Sequence, residues 1–350
     1  MDEIRTLWWD RPSGDLRYID QTLLPGEYRI RPCADPENLV LAIKTLAIRG
    51  APALGVAGAY GVALVAKACR ALGHDEALSR IIAGAAGVAS ARPTAVNLSW
   101  GVGQVLSQLE MVAGGDGADL YLAAISAADK VASADLQTCK DLGGCGATLL
   151  PGHCTVLTHC NAGALACSGW GTALGVVRSA VTAGKQVQVI ACETRPLLQG
   201  ARLTAWELAR DHIPVTVIPD SAAAYLMARG EIDAVIVGAD RITSDAVFNK
   251  IGTYSHAVNA RHHGIPFYVA APASTFDWQL SACSVVVEER RRDEVTGFFG
   301  RETVPASVPV RNYAFDQTPL DLVTAIITEH GVFSLPGDAE KMRAATGGRS

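Results

Sequence analysis

Five short apolar runs recur in the second half of the chain, at 155–159, 187–191, 215–219, 234–238 and 267–271, with helical stretches between most of them. Each run has the length and β-branched content of a buried strand. The stretches at 172–183, 196–211, 221–229 and 252–263 carry helix starts (Thr194 with Pro196, Asp220 with Ser221) and glycine stops (Gly184, Gly230, Gly264). Repeated strand–helix units imply a parallel sheet with right-handed crossovers. The expected fold class is therefore α/β, and in such sheets ligands bind at the carboxyl ends of the strands. Cys160 follows one run and Asp240 follows another, so both belong to the same sheet edge although 80 positions separate them.

The first half reads differently. Residues 1–30 suggest short strands and a turn at Leu23-Leu24-Pro25-Gly26. Asp35-Pro36 starts a helix, with Asp as N-cap, Pro at its first position and Leu39, Ile43 and Leu46 on one face. This helix ends at Ile48-Arg49-Gly50-Ala51-Pro52, and Pro52 can open the next, where Gly55, Gly58 and Ala59 allow close packing. Arg49 then stands beside a helix N-terminus, as a capping arginine or as a phosphate ligand. Arg92-Pro93 marks an extended, tight connection. A helical pattern over 119–142 leads to a domain boundary near Gly143-Gly144, giving domains 1–142 and 143–350. Thr318-Pro319-Leu320-Asp321 opens a last helix to about Glu329, and the tail from Gly337 to Ser350 is expected to be mobile.

The totals exclude several classes. With 49% hydrophobic and 19% charged residues the chain is globular, not disordered. A formal net charge of −5 argues against nucleic acid and anionic membrane as partners, but one or two placed arginines still suffice for a phosphate. The nine cysteines are odd in number and show no CxxC or His/Cys metal spacing, and the N-terminus is charged. This composition reads as cytoplasmic, with reduced thiols, most of them buried small hydrophobes. The uncharged runs Gly50–Ala66 and Leu142–Val177 are rich in Gly and Ala and carry Pro52 and Pro151, which suits buried elements better than membrane spans.

Candidate chemistry gathers around Thr155–Gly171, where a strand, a small-residue turn holding Cys160 and a helix follow one another. Turn N–H groups there can bind an anion. A helix N-terminus lowers a thiol's pKa and apolar walls raise it, so the sequence leaves the state of Cys160 open. Asp240 ends an apolar run; it is either a partly desolvated acid or the partner of Arg241. Asn249 and Lys250 stand at an expected helix start that suits a phosphate. Arg195 and Gln199, four apart, are expected to share the first turn of their helix at the same edge. A dinucleotide reading ranks lower, because Gly163, Gly169 and Gly171 do not form GxGxxG, although Glu193 could imitate a ribose-binding acid.

Six blocks, in order, carry a resemblance: Arg49-Gly50-Ala51-Pro52, Arg92-Pro93-Thr94-Ala95-Val96-Asn97, Thr158-His159-Cys160-Asn161-Ala162-Gly163, Glu193-Thr194-Arg195-Pro196 with Gln199-Gly200-Ala201-Arg202, Gly238-Ala239-Asp240-Arg241, and Asn249-Lys250-Ile251-Gly252-Thr253. The chain resembles the 5-methylthioribose-1-phosphate isomerases, aldose–ketose isomerases of methionine salvage. They are related to the regulatory subunits of a eukaryotic initiation-factor exchange complex. The resemblance implies a smaller, mostly helical N-terminal domain with short strands, a Rossmann-like second domain and a homodimer. It implies Cys160 and Asp240 as the catalytic pair. Arg49, Gly50, Ala51, Arg92, Gln199, Asn249 and Lys250 would bind the sugar phosphate, and no metal or organic cofactor is expected. Departures from the family pattern fall at Phe248, the 244–247 loop, Trp170, Cys192 and Asn312-Tyr313-Ala314. Phe248, in place of a small residue, leaves open another 5-modified ribose 1-phosphate, such as 5-deoxyribose 1-phosphate. A non-catalytic regulator of the exchange-factor type is the alternative of another class.

Overall fold

The computed structural model describes residues 4–92, 96–298 and 300–348. The expected connection at Pro93-Thr94-Ala95 lies outside them. The chain divides into two compact units, one formed by the residues up to Lys140 with Gly163–Gly171, the other by Asp141–Ala162 and Thr172 onward.

The N-terminal unit opens with a three-stranded antiparallel sheet, β1 (Leu7–Asp10), β2 (Asp15–Ile19) and β3 (Ile30–Cys33). Helices α1 (Pro36–Lys44), α2 (Ala51–Ala68), α3 (His74–Ala89), α4 (Val96–Leu109) and α5 (Gly117–Ala147) follow, and the residues of α5 from Asp141 onward are counted with the second unit. Asp35 caps α1 by accepting from the Asn38 N–H. Helix α2 is long and apolar enough to cross a membrane, but its residues from Ala53 to Ala66 are all buried, so it is the core helix of this unit. Glycines let α4 cross it closely. A Cβ on Gly101 would stand 1.8 Å from the Gly55 carbonyl oxygen, and one on Gly58 2.4 Å from that of Leu98.

The second unit is built on a seven-stranded sheet. Its strands are β4 (His153–Thr158), β5 (Gln186–Cys192), β6 (Val215–Ile218), β7 (Ala234–Val237), β10 (Phe267–Ala270), β14 (Ala325–Thr328) and β15 (Gly331–Ser334), in the order β15-β14-β10-β7-β4-β5-β6. All neighbours run parallel except β15, which is antiparallel to β14. Alternate residues of the central strands feed two cores. Val156, Val189, Ile236 and Ile327 face one, with α6 (Ala173–Thr182) and α7 (Ala205–Arg210). Leu157, Ile190, Val235 and Ile326 face the other, with α8 (Ala223–Ala228) and α9 (Thr253–His262). Helices on both faces make this a Rossmann-like α/β unit. A second sheet, β8 (Arg241–Ile242), β9 (Ala246–Lys250) and β13 (Phe315–Pro319), is antiparallel, in the order β13-β9-β8. Helix α10 (Arg292–Thr296), the hairpin of β11 (Gly297–Phe298) and β12 (Arg301–Glu302), and α11 (Ala339–Ala345) complete the unit.

The structure corrects several expectations. No helix runs from Thr318 to Glu329: the capping signal yields one 3₁₀ turn, Leu320–Leu322, and the β-branched run Ala325–Thr328 becomes strand β14, buried on both faces. The tail is ordered through α11, where Met342 is buried in the sheet core. Helix α5 does not stop at Gly143-Gly144. A Cβ on Gly143 would lie 2.7 Å from the Gly175 carbonyl oxygen, so this glycine permits close packing on α6 rather than ending a helix. Of the cysteines other than Cys160, Cys283 is exposed and Cys145 half-buried.

Candidate active site

Cys160 stands two residues past the end of β4, in the left-handed region at φ 65. A non-glycine residue keeps that conformation only when its surroundings over-determine it. Here both backbone polar groups are held. The Cys160 N–H donates to Thr194 Oγ1 at 2.8 Å, and its carbonyl accepts from Thr204 Oγ1 at 2.7 Å. Thr204 Oγ1 also accepts from Asn161 Nδ2 at 3.2 Å, and Nδ2 reaches Glu207 Oε1 at 2.9 Å. Behind Glu207 lies Arg178, bonded to Glu207 Oε2 at 2.8 Å and to Asp211. All three ionic side chains are buried, so the thiol-bearing turn is pinned by a paired ionic cluster between α6 and α7.

Thr194 is fixed in turn. Its N–H and that of Arg195 donate to the two Asp220 carboxylate oxygens, each at 2.7 Å. After it the chain makes a π-helical turn, Gly200–Thr204. A Cβ on Gly200 would fall 1.7 Å from the Cys192 carbonyl oxygen, so only glycine fits there. Gln199, just before it, is buried, and its Oε1 has no hydrogen-bond partner among the described residues. The expected pairing of Arg195 with Gln199 on one helical turn is not found. Positive φ at Thr194 and Leu198 breaks that turn, and Arg195 donates instead to the Pro196 and Val295 carbonyls and lies over Phe298.

Asp240 follows β7, the parallel neighbour of β4. The two loops touch, since a Cβ on Gly238 would lie 2.8 Å from the Ala162 methyl group. The backbone of Asp240 is held by its N–H on the Phe248 carbonyl at 2.9 Å. Arg241 lies 3.6 Å from Asp277, so that cation has a carboxylate partner other than Asp240.

Asn249 and Lys250 end strand β9 rather than start a helix, and α9 begins only at Thr253. The N–H groups of Gly252 and Tyr254 already donate to the Asp316 carboxylate, at 2.7 and 3.2 Å. These two N–H groups at the start of α9 are thus satisfied by the chain's own anion, because Asp316 pairs with Asn249 across the β13–β9 ladder. Burial raises the Asp316 pKa to about 6. Asn249 Nδ2 donates to Thr253 Oγ1 at 3.0 Å; Lys250 Nζ donates to the Ala314 carbonyl at 2.8 Å and lies over Phe315. The start of α6 is satisfied internally as well: the Thr172 and Leu174 N–H groups donate to the Ala162 carbonyl, so they do not form the anion site expected of that turn.

His159 ties these segments together. Its Nε2 lies 2.8 Å from the Ile251 carbonyl oxygen and its Nδ1 3.1 Å from His256 Nε2. A carbonyl only accepts, so His159 carries its proton on Nε2. As a neutral ring it then accepts on Nδ1 from His256. Burial pushes the His159 pKa down to about 4. For His256, burial and then the neighbouring His159 lower it to about 3, so both rings are neutral at pH 7. His159, Cys192 and His256 have donor atoms within 4.8 Å of one another, enough for a metal ion. Both His159 nitrogens, however, are already in hydrogen bonds, and burial raises the Cys192 thiol pKa.

Arg49, Gly50, Ala51 and Arg92 belong to the N-terminal unit. Arg49 is buried, and Gly50 is the N-cap of α2 at φ 98. A Cβ on Gly50 would meet Ala166 Cα at 2.5 Å. Ala51 is the first residue of α2, and Arg92 is half-buried in the bend after α3.

The sequence reading missed Thr204, Arg178, Glu207, Asp211, Asp220, His256 and Asp316. One signal was available: Arg178 is a lone charge in an otherwise apolar helical run, and a buried charge demands a partner.

Residues 47–335 match the profile described as the Initiation factor 2 subunit family. The methylthioribose-1-phosphate isomerase of Roseiflexus sp. (strain RS-1) is 50% identical over 340 residues, covering 95% of each chain. Among solved structures, 5-methylthioribose 1-phosphate isomerase from Pyrococcus horikoshii OT3 aligns with TM-score 0.90 at 39% identity, over 97% of this chain and 96% of the other. A chain described as translation initiation factor eIF-2B, subunit delta, from A. fulgidus aligns with TM-score 0.88 at 50% identity, over 97% and 99%.

Proposed function

The chain belongs to the initiation factor 2 subunit family, and from that premise we propose that it is an aldose–ketose isomerase converting 5-methylthioribose 1-phosphate to 5-methylthioribulose 1-phosphate. The observation that carries this reading is the isomerase relative at 50% identity over nearly the full length. Cys160 and Asp240, which follow adjacent parallel strands at one sheet edge, are its chemical counterpart. The wider reading is a cytoplasmic homodimer of methionine salvage, with a small phosphorylated sugar as substrate and neither nucleic acid nor membrane as partner.

A furanose whose anomeric oxygen carries phosphate does not open as a free sugar does. An acid must protonate the ring oxygen, and hydrogen must then pass from C2 to C1. Asp240 is the proposed proton donor to the ring oxygen. Cys160 is the proposed group at C2/C1, either as a thiolate moving a proton or as a neutral neighbour of a hydride shift. The acceptor Gln199 Oε1, buried without a donor among the described residues, suits a sugar hydroxyl, since leaving such a group unmatched costs about 1–3 kcal/mol. Arg49, Gly50, Ala51, Arg92, Asn249 and Lys250 are proposed to hold the phosphate. Lys250 would exchange its Ala314 carbonyl for the ligand.

Two other readings stay in view. Phe248, buried and carrying the carbonyl that accepts from Asp240, favours a different 5-substituent if it borders the sugar. The eIF-2B relative favours a regulator. The test is to incubate the protein with 5-methylthio-, 5-deoxy- and unmodified ribose 1-phosphate and follow ketose formation by phosphorus NMR. Ketose from the methylthio sugar is expected, and Cys160→Ser and Asp240→Asn should each abolish it while leaving the fold intact. Ketose from another sugar alone reassigns the substrate; none from any sugar makes the chain a regulator.

A further inference from the structure

Outside the sheet unit lies a second cluster that isomerase chemistry does not use. Asp135 and Cys139 sit four apart on α5, on one helix face. Cys167 follows the 3₁₀ turn Ala164–Ala166, and Ser168 follows it. All four residues belong to the N-terminal unit. A carboxylate oxygen of Asp135 and the sulfurs of Cys139 and Cys167 lie within 4.8 Å of one another, and both cysteines are buried. The Ser168 N–H donates to Asp135 Oδ2 at 2.6 Å, which fixes the carboxylate against the cysteine-bearing turn.

We propose that Asp135, Cys139 and Cys167 bind one thiophilic divalent cation of the zinc type. Three arguments support this. The first is donor chemistry: two sulfurs and one carboxylate oxygen are a set that four-coordinate zinc accepts. The second is size. Bond lengths of about 2.3 Å to sulfur and about 2.0 Å to oxygen give tetrahedral edges of about 3.8 Å between sulfurs and about 3.5 Å from sulfur to oxygen. Donors already confined within 4.8 Å reach those edges with side-chain adjustments of an ångström or so. The third is charge. Asp135 has no cation among the described Lys, Arg and His residues beside it, so a divalent ion would supply the opposite charge that this carboxylate lacks. On binding, the two thiols lose their protons and form two metal–sulfur bonds, the ionised carboxylate forms the metal–oxygen bond, and two protons leave for each ion bound.

The ion would fasten the Ala164–Gly171 turn to α5, a structural part separate from the proposed catalytic pair. Linear spacing hides it, because 28 positions separate Cys139 from Cys167.

The probe is Co²⁺, titrated into the full-length protein after dialysis against a chelator under reducing conditions. One ion per chain is expected, with a thiolate-to-cobalt charge-transfer band and the intense d–d bands of a four-coordinate site, both erased by stoichiometric Zn²⁺. Cys139→Ser with Cys167→Ser should remove the band, and Asp135→Asn should weaken binding at least tenfold while keeping it. Zn²⁺ should raise the melting temperature of the unaltered protein and not that of the double variant, with circular dichroism checking that each variant folds. No thiolate band in the unaltered protein would overturn the proposal. So would a band that survives in the double variant, which moves the ion to His159, Cys192 and His256. A mass two hydrogens low that maps to a Cys139–Cys167 disulfide would replace the metal site with a redox pair.

Discussion

Replacing Thr204 with valine tests how the fold holds Cys160. The side chains have nearly the same shape, and only the hydroxyl is lost. That hydroxyl donates to the Cys160 carbonyl at 2.7 Å and accepts from Asn161 Nδ2 at 3.2 Å. Asn161 keeps Glu207, so its loss is partial, whereas the Cys160 carbonyl loses its bond from Thr204. A hydrogen bond of this kind contributes about 0.5–1.5 kcal/mol, so a loss of about 1 kcal/mol in urea unfolding is expected. Left-handed backbone at a residue with a Cβ costs roughly a further 1–2 kcal/mol, which the two flanking bonds now hold in place. With one bond gone, Cys160 relaxes and its sulfur shifts by about an ångström, a displacement that costs about 10²-fold in turnover. Steady-state kinetics on the methylthio sugar phosphate should show this loss in kcat with little change in KM. Thr204→Ser keeps the hydroxyl and should stay close to the parent. The reasoning fails if valine destabilises the protein but leaves kcat intact, or if serine behaves like valine.

Further outcomes follow from the same geometry. His159 and His256 titrate near 6.5 when unfolded and at about 4 and about 3 when folded. The unfolded chain therefore binds more protons, and stability is full above pH 6.5 and falls as the pH drops; at pH 5 each ring costs about 2 kcal/mol. Asp135 and Asp316, raised to about 6, oppose this by gaining stability between about pH 6 and pH 4. His256→Gln should flatten the fall between pH 6.5 and 5 in thermal melts, and an unchanged slope would contradict the assignment. Gly144→Ala, with open space around the added methyl group inside α5, should stabilise by about 0.5–1 kcal/mol, whereas Gly200→Ala, which drives its Cβ into the Cys192 carbonyl, should destabilise by about 3 kcal/mol or prevent folding. Asp316→Ala should cost about 1–2 kcal/mol through the uncapped N–H groups of α9, measured by urea unfolding.

The parallel sheet was legible because β4, β5, β7 and β10 each hold a short apolar or β-branched stretch flanked by turn signals. The convergence of the Cys160 and Asp240 loops needed only those strands and the rule that ligands gather at their carboxyl ends. The small antiparallel sheet was not legible. Its strands β8, β9 and β13 are short and mixed in polarity, and the pairing of Asp316 with Asn249 spans 67 positions. Strand β14 was hidden by a genuine helix-start signal at Thr318-Pro319 that tertiary burial of Ala325–Thr328 overrides. The supports of Cys160 were not legible either, because Thr194, Thr204 and Asp220 are ordinary turn and helix residues until the fold brings their oxygen atoms to one backbone.

The backbone at position 160 would suit glycine, which adopts φ 65 without steric penalty. Cys160→Gly should therefore make a sturdier molecule without its sulfur. Selection for heat tolerance alone would push this position away from cysteine, and a library ranked only by melting temperature would discard the sulfur proposed to act at C2/C1.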